Sequence, residues 1–551
     1  MTADLTDRAS QAGKVGEISS GSKVSENIEI GKITPSIDEV AQYAESGKYR
    51  VVPLRIELLS DFITPIEAMR VLRGASEHTF LLESVAKHDH WGRYTFLGCS
   101  PKIAISCKDG VMRIGEREFV TENPAQHLRQ LLAGYRSPQI AGMPPFTGGL
   151  VGYFSFDFIG YSEPCAKVPV ADSEGFQDLD LMLFDAVIAF DNFAQKIVLI
   201  QNISLDNYAV EYQQAAVKLA ALAQLLRTGK KAEIPAGRLL AEPEPMFNRE
   251  QFCEIVERAR QHIFEGDIFQ IVPSNRLSAP FEGSLFNAYR MLRTLNPSPY
   301  MFYFSGTDVE VAGASPETLV KLHDGVLHTF PLAGTRPRGR NAAEDAALAA
   351  ELLADEKELA EHNMLVDLGR NDLGKISQFG TVEVESLREI QWYSHVMHIG
   401  STVRGKIRED KDALDAIAAV LPAGTLSGAP KIRACQLIGE LENNKRGIYG
   451  GAIGYIDFSG NMDTCIAIRT AYQKNGQVFI RSGAGIVADS VAEKEFDECV
   501  NKAKAVVRAL EIASQLSTTD NTETVNRTAP EVVNSAEALA NTVAGEAGER
   551  R

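Results

Sequence analysis

The sequence lacks the features of disulfide-rich, membrane-spanning or nucleic-acid-binding proteins. Its seven cysteines show no Cys-x-x-Cys spacing, so we expect scattered, reduced thiols. The most apolar stretch, residues 179–190, is short and is interrupted by Asp180 and Asp185, so it is not expected to cross a bilayer. The net charge is −17 and no basic stripe stands out, which disfavours a nucleic-acid partner. The first residues have neither the basic start nor the apolar core of a secretory signal, and we expect a cytoplasmic protein.

Composition divides the 551 residues into four parts. Residues 1–45 and 516–551 are polar and nearly free of aromatic side chains, and we expect both to be disordered. Residues 46–230 form an N-terminal region rich in strand-forming residues. Residues 245–515 form a second region, and the polar stretch between the two predicts a seam between lobes.

Residue patterns predict long helices among antiparallel strands. His323-Asp324-Gly325 lies between two alternating runs and predicts a hairpin. Ser490-Val491-Ala492-Glu493 reads as a capping box at the start of the last helix. Further helices are expected at 208–226, 248–265 and 342–368, and strands at 51–58, 79–84, 93–98, 102–107, 186–200, 268–277, 300–305, 309–314, 318–323, 326–330 and 465–470. Hairpins separated by long helices indicate an α+β fold.

Two helical runs each aim a pair of carboxylates in one direction. Glu358 and Glu361 are three residues apart on an otherwise apolar stripe, and Glu495 and Glu498 repeat the pattern near the end of the chain. Four carboxylates in one pocket would repel each other unless a hard cation such as Mg²⁺ were bound. Either pair alone would be typical of a solvated helix face.

The second carboxylate pair follows a glycine loop. Gly483-Ala484-Gly485 allows backbone amides to approach a bound anion closely, and Arg469 and Lys502 supply fixed positive charge. These residue types suit a dianionic substrate. The alternative for Arg469 is a surface ion pair.

Five further motifs occur in order along the chain. They are Gly266-Asp267-Ile268-Phe269-Gln270, Ala314-Ser315-Pro316-Glu317, the run 331–339 (PLAGTRPRG), Ser394-His395-Val396-Met397-His398 and the run 421–431 (LPAGTLSGAPK). With the glycine loop and the carboxylate helices they resemble the chorismate-utilising enzymes, specifically the anthranilate synthase component I family, over about residues 50 to 512. The resemblance implies a large two-lobed antiparallel β-sandwich flanked by helices.

The resemblance also implies a reaction and the residues that perform it. Chorismate and ammonia would give anthranilate and pyruvate with Mg²⁺, the first committed step of tryptophan biosynthesis. Glu317 would protonate the departing ring hydroxyl, His398 would serve the elimination of pyruvate, and Gln270 and Thr425 would complete the catalytic set. Mg²⁺ would be held by Glu361 and Glu498, with Glu358 and Glu495 nearby. The substrate would be bound by Gly334, Thr335, Tyr449, Arg469, Gly483, Ala484, Gly485 and Lys502.

Two positions separate this chain from sister enzymes of the family. Isochorismate synthases carry a water-activating lysine where this chain has Gln270, and an amide cannot act as that base. Aminodeoxychorismate synthases often carry a lysine where this chain has Ala333. Gln270 favours ammonia as the nucleophile, and Ala333 favours attack at the position next to the ring carboxylate. Together the two positions favour anthranilate as the product. Aminodeoxychorismate synthase component I and a non-catalytic tryptophan-sensing subunit remain the alternatives.

Regulation and partners are further implications of the resemblance. The segments that hold feedback tryptophan in the family match Leu82, Glu83, Ser84, Pro299, Tyr300 and Met301 here. No cysteine lies in the glycine-rich elbow of a glutaminase, so ammonia would come from free ammonium or a separate amidotransferase subunit. We expect a hetero-oligomer of two large and two small subunits.

Overall fold

The computed structural model describes residues 31–84, 92–393 and 396–515. Its helices are α1 (Ile37–Glu45), α2 (Pro65–Ala75), α3 (Pro124–Ala133), α4 (Ile159–Ser162), α5 (Tyr208–Thr228), α6 (Arg249–Phe264), α7 (Phe286–Leu295), α8 (Ala342–Ala354), α9 (Glu356–Gly374), α10 (Ala413–Val420), α11 (Lys431–Glu442) and α12 (Ala492–Ala513). None of the helices in the described part of the chain is both long and apolar enough to span a membrane.

The strands are numbered β1 to β26 in chain order. They are β1 (Val51–Leu59), β2 (Thr79–Glu83), β3 (Tyr94–Cys99), β4 (Ile103–Lys108), β5 (Val111–Ile114), β6 (Arg117–Val120), β7 (Gly149–Phe154), β8 (Leu179–Phe184), β9 (Ala186–Asp191), β10 (Lys196–Ser204), β11 (Arg238–Leu239), β12 (Glu244–Pro245), β13 (Gln270–Ile271), β14 (Ser274–Glu282), β15 (Tyr300–Ser305), β16 (Glu310–Ser315), β17 (Thr318–His323), β18 (Val326–Thr329), β19 (Leu332–Pro337), β20 (Glu383–Trp392), β21 (Val396–Lys406), β22 (Gly428–Ala429), β23 (Ala452–Asp457), β24 (Met462–Ile466), β25 (Thr470–Lys474) and β26 (Gln477–Gly483).

Two antiparallel sheets of 12 strands each dominate the fold. The first runs β1-β10-β9-β3-β2-β15-β16-β25-β26-β14-β11, with β12 also on β14. The second runs β19-β21-β18-β17-β24-β23-β7-β8-β4-β5-β6, with β20 also on β21. The α+β sandwich expected from the sequence is confirmed.

The two sheets pack against each other and carry helices on their outer faces. Phe80, Val198 and Phe302 of the first sheet share a buried cluster with Tyr153 and Ile453 of the second. Alternate residues of β10, such as Ile197 and Leu199, point outward instead and pack with α2, α5, α7 and α12. On the outer face of the second sheet, α9 and α10 provide the cover. Strands that are buried on both faces therefore have continuous apolar runs in their sequence.

The predicted seam does not separate two independent sheets. In the first sheet β2 pairs with β15, where Leu82 lies opposite Phe302. In the second sheet β7 pairs with β23, where Tyr153 lies opposite Ile453. The region 46–230 thus supplies five of the twelve strands of each sheet, and the boundary in sequence is not a boundary in space.

Three local predictions need correction. Disorder over 1–45 is wrong from Ile37 onward, because α1 begins there with a capping box made by Ser36 and Glu39. The helix expected at 342–368 is two helices, because the Asp355 side chain accepts from the backbone of Lys357 and Glu358 and starts α9. The last helix has no side-chain cap: Val491 is its N-cap, and Ser490 instead accepts from Val487 N at 3.1 Å.

Two of the predicted strands are each divided in the structure: 186–200 contains β9 and the start of β10, and 268–277 contains β13 and the start of β14. The hairpin at Asp324-Gly325 is confirmed, with both residues at positive φ and His323 paired to Val326. Both residues of its two-residue loop have the φ values of a type I′ turn. Ser394 and His395 of the fourth motif, and residues 1–30, 85–91 and 516–551, lie outside the described residues.

Candidate active site

Glu317 lies in the short link between β16 and β17, as the sequence predicts. Its carbonyl accepts from Ile466 N at 3.0 Å, which fixes the backbone next to the strand end. The Thr425 hydroxyl donates to Glu317 Oε1 at 3.0 Å. Burial raises the pKa of Glu317 to about 7, opposed by Thr425 and by the charges of Arg469 and Lys502. A carboxyl in this state can carry a proton at neutral pH and release it to a leaving group.

His398 lies on β21 opposite a bulge in β19. Gly334, at φ +66°, interrupts the pairing between Ala333 and Thr335, and its carbonyl lies 2.9 Å from His398 Nδ1. The Thr335 hydroxyl is 3.1 Å from the same nitrogen. Burial lowers the pKa of His398, and the bond to Gly334 opposes this shift. A neutral imidazole that donates through Nδ1 keeps Nε2 free to accept a proton.

Arg469 occupies a strained link and not a strand end. The sequence predicts a strand over 465–470, but β24 ends at Ile466 and Arg469 has φ 51°, in the left-handed region. Its carbonyl accepts from Ala314 N at 3.2 Å, which holds it beside the segment that leads to Glu317. Burial lowers the pKa of Arg469, and within the described residues it makes no ion pair. The surface ion-pair alternative is therefore wrong.

The glycine loop, Tyr449 and Lys502 form one wall. A Cβ on Gly483 would lie 2.7 Å from the Pro273 carbonyl oxygen and 3.0 Å from the Tyr449 hydroxyl. Lys502 Nζ donates to the Gly483 carbonyl at 3.0 Å and pairs with Glu498 at 2.7 Å. The glycine is required by close packing, and the lysine links the loop to the carboxylate helix α12.

Gln270 reaches the same wall from β13. Its pairing with Ala429 of β22 brings the 266–270 and 421–431 motifs together. A Cβ on Gly485 would lie 3.0 Å from Gln270 Nε2, so the amide faces the glycine loop. Gln270 Oε1 is buried and makes no hydrogen bond within the described residues. An acceptor left open beside the loop suits a ligand with an N–H group.

A buried ionic network below this wall was not predicted from the sequence. Glu442, Arg446 and Arg481 are each 3% exposed or less. Arg446 donates to the carbonyls of Leu426, at 2.7 Å, and Val272, and it pairs with Glu442. Arg481 completes the set at 3.1 Å from Glu442. The network ties together the two loops that carry Thr425 and Gln270, and only long-range contacts reveal it.

Tyr393 is a second residue that sequence reasoning missed. Its ring meets that of His398 edge to face, with centroids 5.4 Å apart. Burial raises its pKa, and the charges of Glu317 and Arg469 act on it. The only signal in the sequence is its position one residue before the Ser394–His398 motif.

The four predicted metal-site carboxylates face a common region but do not converge. Burial raises the pKa of Glu361, with the Glu358 charge next and the Glu498 charge adding to it. Burial, assisted by Glu498, also raises the pKa of Glu495. Among the described residues, no three of the four bring oxygens within 4.8 Å of one another. Their oxygen donors and mutual repulsion fit a hard divalent cation, which would relieve the repulsion.

All six residues predicted to hold feedback tryptophan line one separate cavity of about 430 Å³. Ser84 Oγ is buried and makes no hydrogen bond within the described part of the chain. The Glu83 carboxylate is already engaged by Tyr289 and Arg293. The Tyr300 hydroxyl donates to Asp463 at 2.8 Å and lies 2.9 Å from the Thr318 hydroxyl. The volume is that of a small-molecule site.

Comparison with known proteins agrees with this fold. A family model described as chorismate binding enzyme matches residues 77–508. The chain is 43% identical over 494 residues to anthranilate synthase component 1 of Acetivibrio thermocellus, covering 88% of this chain and 99% of that one. It is 44% identical to the protein of the same name from Aquifex aeolicus, covering 87% of this chain and 98% of that one.

Two solved structures superpose on this fold. The crystal structure of anthranilate synthase component I from Streptococcus pneumoniae superposes with a TM-score of 0.69 at 37% identity, covering 82% of this chain and 99% of that one. The menaquinone-specific isochorismate synthase of Escherichia coli, at 18% identity and a TM-score of 0.62, shares the fold.

The sandwich of two antiparallel sheets, with its glycine loop and paired carboxylate helices, defines the class: the chain belongs to the chorismate binding enzyme family. Sequence identity above 40% over nearly the whole length of the two anthranilate synthase relatives identifies the type of enzyme within this family. The chain is an enzyme of the anthranilate synthase component 1 type.

Proposed function

We propose that this enzyme converts chorismate and ammonia into anthranilate, pyruvate and water. The observation that carries the proposal is Glu317, a carboxyl whose pKa is raised to about 7 by burial and whose Oε1 accepts from Thr425. Displacing a ring hydroxyl requires an acid of this kind, because hydroxide is a poor leaving group. Arg469 and Lys502 supply the positive charge that a dianionic substrate requires.

In the first step ammonia adds next to the ring carboxylate while the ring hydroxyl leaves. Glu317 gives its proton to that hydroxyl, which departs as water, and ammonia loses one proton as the C–N bond forms. Gln270 is a neutral amide and cannot activate water as a base, so ammonia is the favoured nucleophile. The product of this step is an amino-cyclohexadiene that still carries the enolpyruvyl group.

In the second step pyruvate is eliminated and the ring becomes aromatic. The ring carbon that bears the new amine loses its proton to His398 Nε2, the base we assign. The ring C–O bond to the enolpyruvyl group breaks, and the departing enolate takes up one proton to become pyruvate. The Gly334 carbonyl supports this role by holding Nδ1 at 2.9 Å, which selects the tautomer with Nε2 free. Arg469, Tyr449, Gly334, Thr335 and the Gly483–Gly485 loop would hold the two carboxylates of the substrate.

Glu361 and Glu498 would hold Mg²⁺, with Glu358 and Glu495 nearby. The cation would neutralise the ring carboxylate and act as a Lewis acid. The raised pKa values of Glu361 and Glu495 support this assignment, because a bound cation would favour their charged forms.

Ammonia from glutamine would require a separate glutaminase subunit, in an assembly of two large and two small chains. Burial raises the pKa of the thiols of Cys99, Cys435, Cys465 and Cys499, which makes them poor nucleophiles. Glutamine-dependent anthranilate formation should therefore appear only when a glutaminase subunit is added to the purified chain. Equal rates with glutamine before and after mixing would contradict this part of the proposal.

Tryptophan would bind in the 430 Å³ cavity and inhibit the enzyme as a feedback signal. The cavity offers an apolar slot between Leu82, Met301 and Pro299, and the unpartnered Ser84 hydroxyl can bond a polar group of the ligand.

The central test is a product assay with the purified chain. Incubation with chorismate, Mg²⁺ and ammonium at alkaline pH, where more of the ammonium is free ammonia, should produce the fluorescence of anthranilate and an equal amount of pyruvate. Accumulation of 4-amino-4-deoxychorismate would assign the chain to the folate branch, and isochorismate would mean that water is the nucleophile. No consumption of chorismate would favour a non-catalytic tryptophan-sensing subunit.

A further inference from the structure

A second, small cavity is lined by Glu317 and differs in most of its lining from the proposed substrate site. Its volume is about 40 Å³, and its polar lining includes Glu317, Thr425, Thr329 and Asp372. It shares Glu317 and Thr425 with the catalytic set, whereas His398, Arg469 and the glycine loop do not line it. A volume of this size holds about three water molecules at most, and such a site needs several polar partners.

Asp372 is the unusual residue of this lining. It is 3% exposed, near the end of α9, and its Oδ2 accepts from Lys431 Nζ at 2.7 Å. Its Oδ1 is buried and makes no hydrogen bond within the described residues, although Lys375 Nζ lies 3.5 Å away. Lys431 is held by Asp372 and by the Val420 carbonyl, whereas the Lys375 side chain is 43% exposed. A buried carboxylate oxygen that makes no hydrogen bond within the described residues, on a residue that lines a cavity of water size, is a candidate site for water.

This inference rests on the proposed reaction, in which the cavity can supply protons to Glu317. Glu317 loses one proton in each turnover and must regain it. The charges of Arg469 and Lys502 act on Glu317, and these two residues belong to the proposed substrate site. Glu317 also lines the small cavity, and Asp372 of the same lining lies 3.5 Å from the half-exposed Lys375.

We propose that water in this cavity returns a proton to Glu317 and that Asp372 positions this water and links it to solvent. Each transfer moves one proton between neighbouring oxygens: the Glu317 carboxylate takes a proton from cavity water, and the hydroxide left behind takes a proton from solvent water that enters past Asp372. No other bond changes. Asp372 is a positioning residue, because it acts on Glu317 through water and does not touch the substrate.

The test compares the first turnover with later turnovers by rapid mixing of enzyme with chorismate, Mg²⁺ and ammonium. Wild-type enzyme is measured first, and production of anthranilate by it tests the proposed function separately. In Asp372→Asn the first anthranilate per chain should form at the wild-type rate, because Asp372 is not among the groups that shift the pKa of Glu317 and the same fraction of Glu317 should start protonated. Later turnovers should be slower by about tenfold, a part of what a general acid contributes. The solvent isotope effect on kcat should rise, while KM for chorismate changes little.

A second variant covers the case in which Asp372→Asn fails to fold. Thr329→Val keeps the shape of a cavity wall and removes its hydroxyl, whose one bond in the described structure is to the Leu319 carbonyl at 3.3 Å. It should show the same fast first turnover and slow later turnovers. Asp367→Asn is the matched control, since Asp367 is an exposed carboxylate on the same helix, paired with Arg370. Equal slowing of first and later turnovers in both cavity variants, or no slowing in either, overturns the proposal.

Discussion

Glu317 is an ordinary carboxylic acid in an unusual place, because its side chain is buried. A glutamate in water titrates near pH 4.5, whereas burial moves the pKa of Glu317 to about 7. Because the folded pKa lies above the unfolded one, the carboxyl opposes folding by an amount that grows as the pH rises from about 4.5 to about 7 and is constant above that. The acid needed for the reaction therefore costs stability at neutral pH.

Glu317→Gln separates these two effects. The amide cannot donate a carboxylic proton, so kcat should fall by roughly 10²- to 10⁴-fold. The same change removes the burial cost of the carboxylate, so the variant should gain thermal stability over wild type at pH 8 and show no such gain near pH 4.5. Parallel pH titrations of activity and of Tm would measure both. A variant that loses stability equally at both pH values would contradict the raised pKa.

His398→Gln should uncouple the two chemical steps. Glutamine can still bond the Gly334 carbonyl but cannot accept a proton, so the loss should fall on the elimination of pyruvate. We expect anthranilate formation to drop by roughly 10²-fold or more, while chorismate is still consumed and the amino-cyclohexadiene accumulates. Chromatography of the reaction mixture would resolve the two products. If chorismate consumption stops together with anthranilate formation, His398 also serves the first step.

For single residues, the sequence predicts which residues lie in the site better than it predicts their backbone conformation. Glu317 is found where its motif places it, because a proline-bounded strand end is a local feature. Arg469 was expected on a strand, but its left-handed φ of 51° depends on contact with Ala314, which is remote in sequence. Tyr393 and the Arg446 network share this difficulty, since only the assembled sheets bring them to the site.

The two carboxylate-bearing helices, α9 and α12, are the elements most specific to the proposed chemistry. Glu361 and Glu498 come from different helices, and the charge of Glu498 contributes to the raised pKa of Glu361. Glu356 also lies on α9, but it is exposed and is rotated by roughly 160° from Glu358 at about 100° per residue. It therefore provides a control on the same helix.

Glu361→Gln and Glu498→Gln should each raise the Mg²⁺ concentration needed for half-maximal activity by roughly tenfold or more. Glu356→Gln should leave it unchanged, since that side chain is directed away from the cleft. Titration of activity with MgCl₂ for the three variants gives the comparison. Equal and small effects at all three positions would mean that the glutamates form a solvated helix face.

Strand β17 connects the large cavity to the catalytic acid. The Tyr300 hydroxyl in that cavity lies 2.9 Å from the Thr318 hydroxyl, and Thr318 is the residue after Glu317. Thr318 also lies opposite Cys465, which lines the cavity. A ligand that displaces Tyr300 would thus act on the backbone that positions Glu317.

Tyr300→Phe should weaken tryptophan inhibition more than it weakens catalysis. The ring stays in place, but the bonds to Thr318 and Asp463 are lost, so the two sites become less coupled. Couplings of this kind are typically about 1–3 kcal/mol. Inhibition curves and calorimetric binding of tryptophan to the same variant would separate lost coupling from lost binding. Unchanged inhibition would exclude this link.

At the scale of elements, local signals were sufficient for hairpins and insufficient for helix ends. The Asp324-Gly325 turn requires positive φ at two adjacent residues, and these residues tolerate it. The break at Asp355 was missed because the apolar stripe continues across it, although Asp at 355 with Glu at 358 is itself a starting signal. Ser490 was expected to cap α12 but is engaged by Val487.

For the whole molecule, tryptophan should inhibit the ammonium reaction and the glutamine reaction equally, because its proposed cavity lies on this chain. Ser84→Ala should relieve inhibition in both assays with uninhibited turnover nearly unchanged, and a bulkier residue at Met301 should do the same by filling the cavity. Both assays with a tryptophan titration would measure this. Inhibition confined to the glutamine reaction would place the regulatory site on the partner subunit.

The order of strands in the two sheets has a consequence for the chain while it is being made on the ribosome. Once residues up to 230 have emerged, β2 and β7 each present an open sheet edge, and their partners β15 and β23 begin only at Tyr300 and Ala452. At roughly 5–20 residues per second the β7 edge waits on the order of tens of seconds. Open edges of this kind bind other strands. The nascent chain should therefore depend on chaperones during translation, and it should complete its sandwich only when nearly the whole sequence is available.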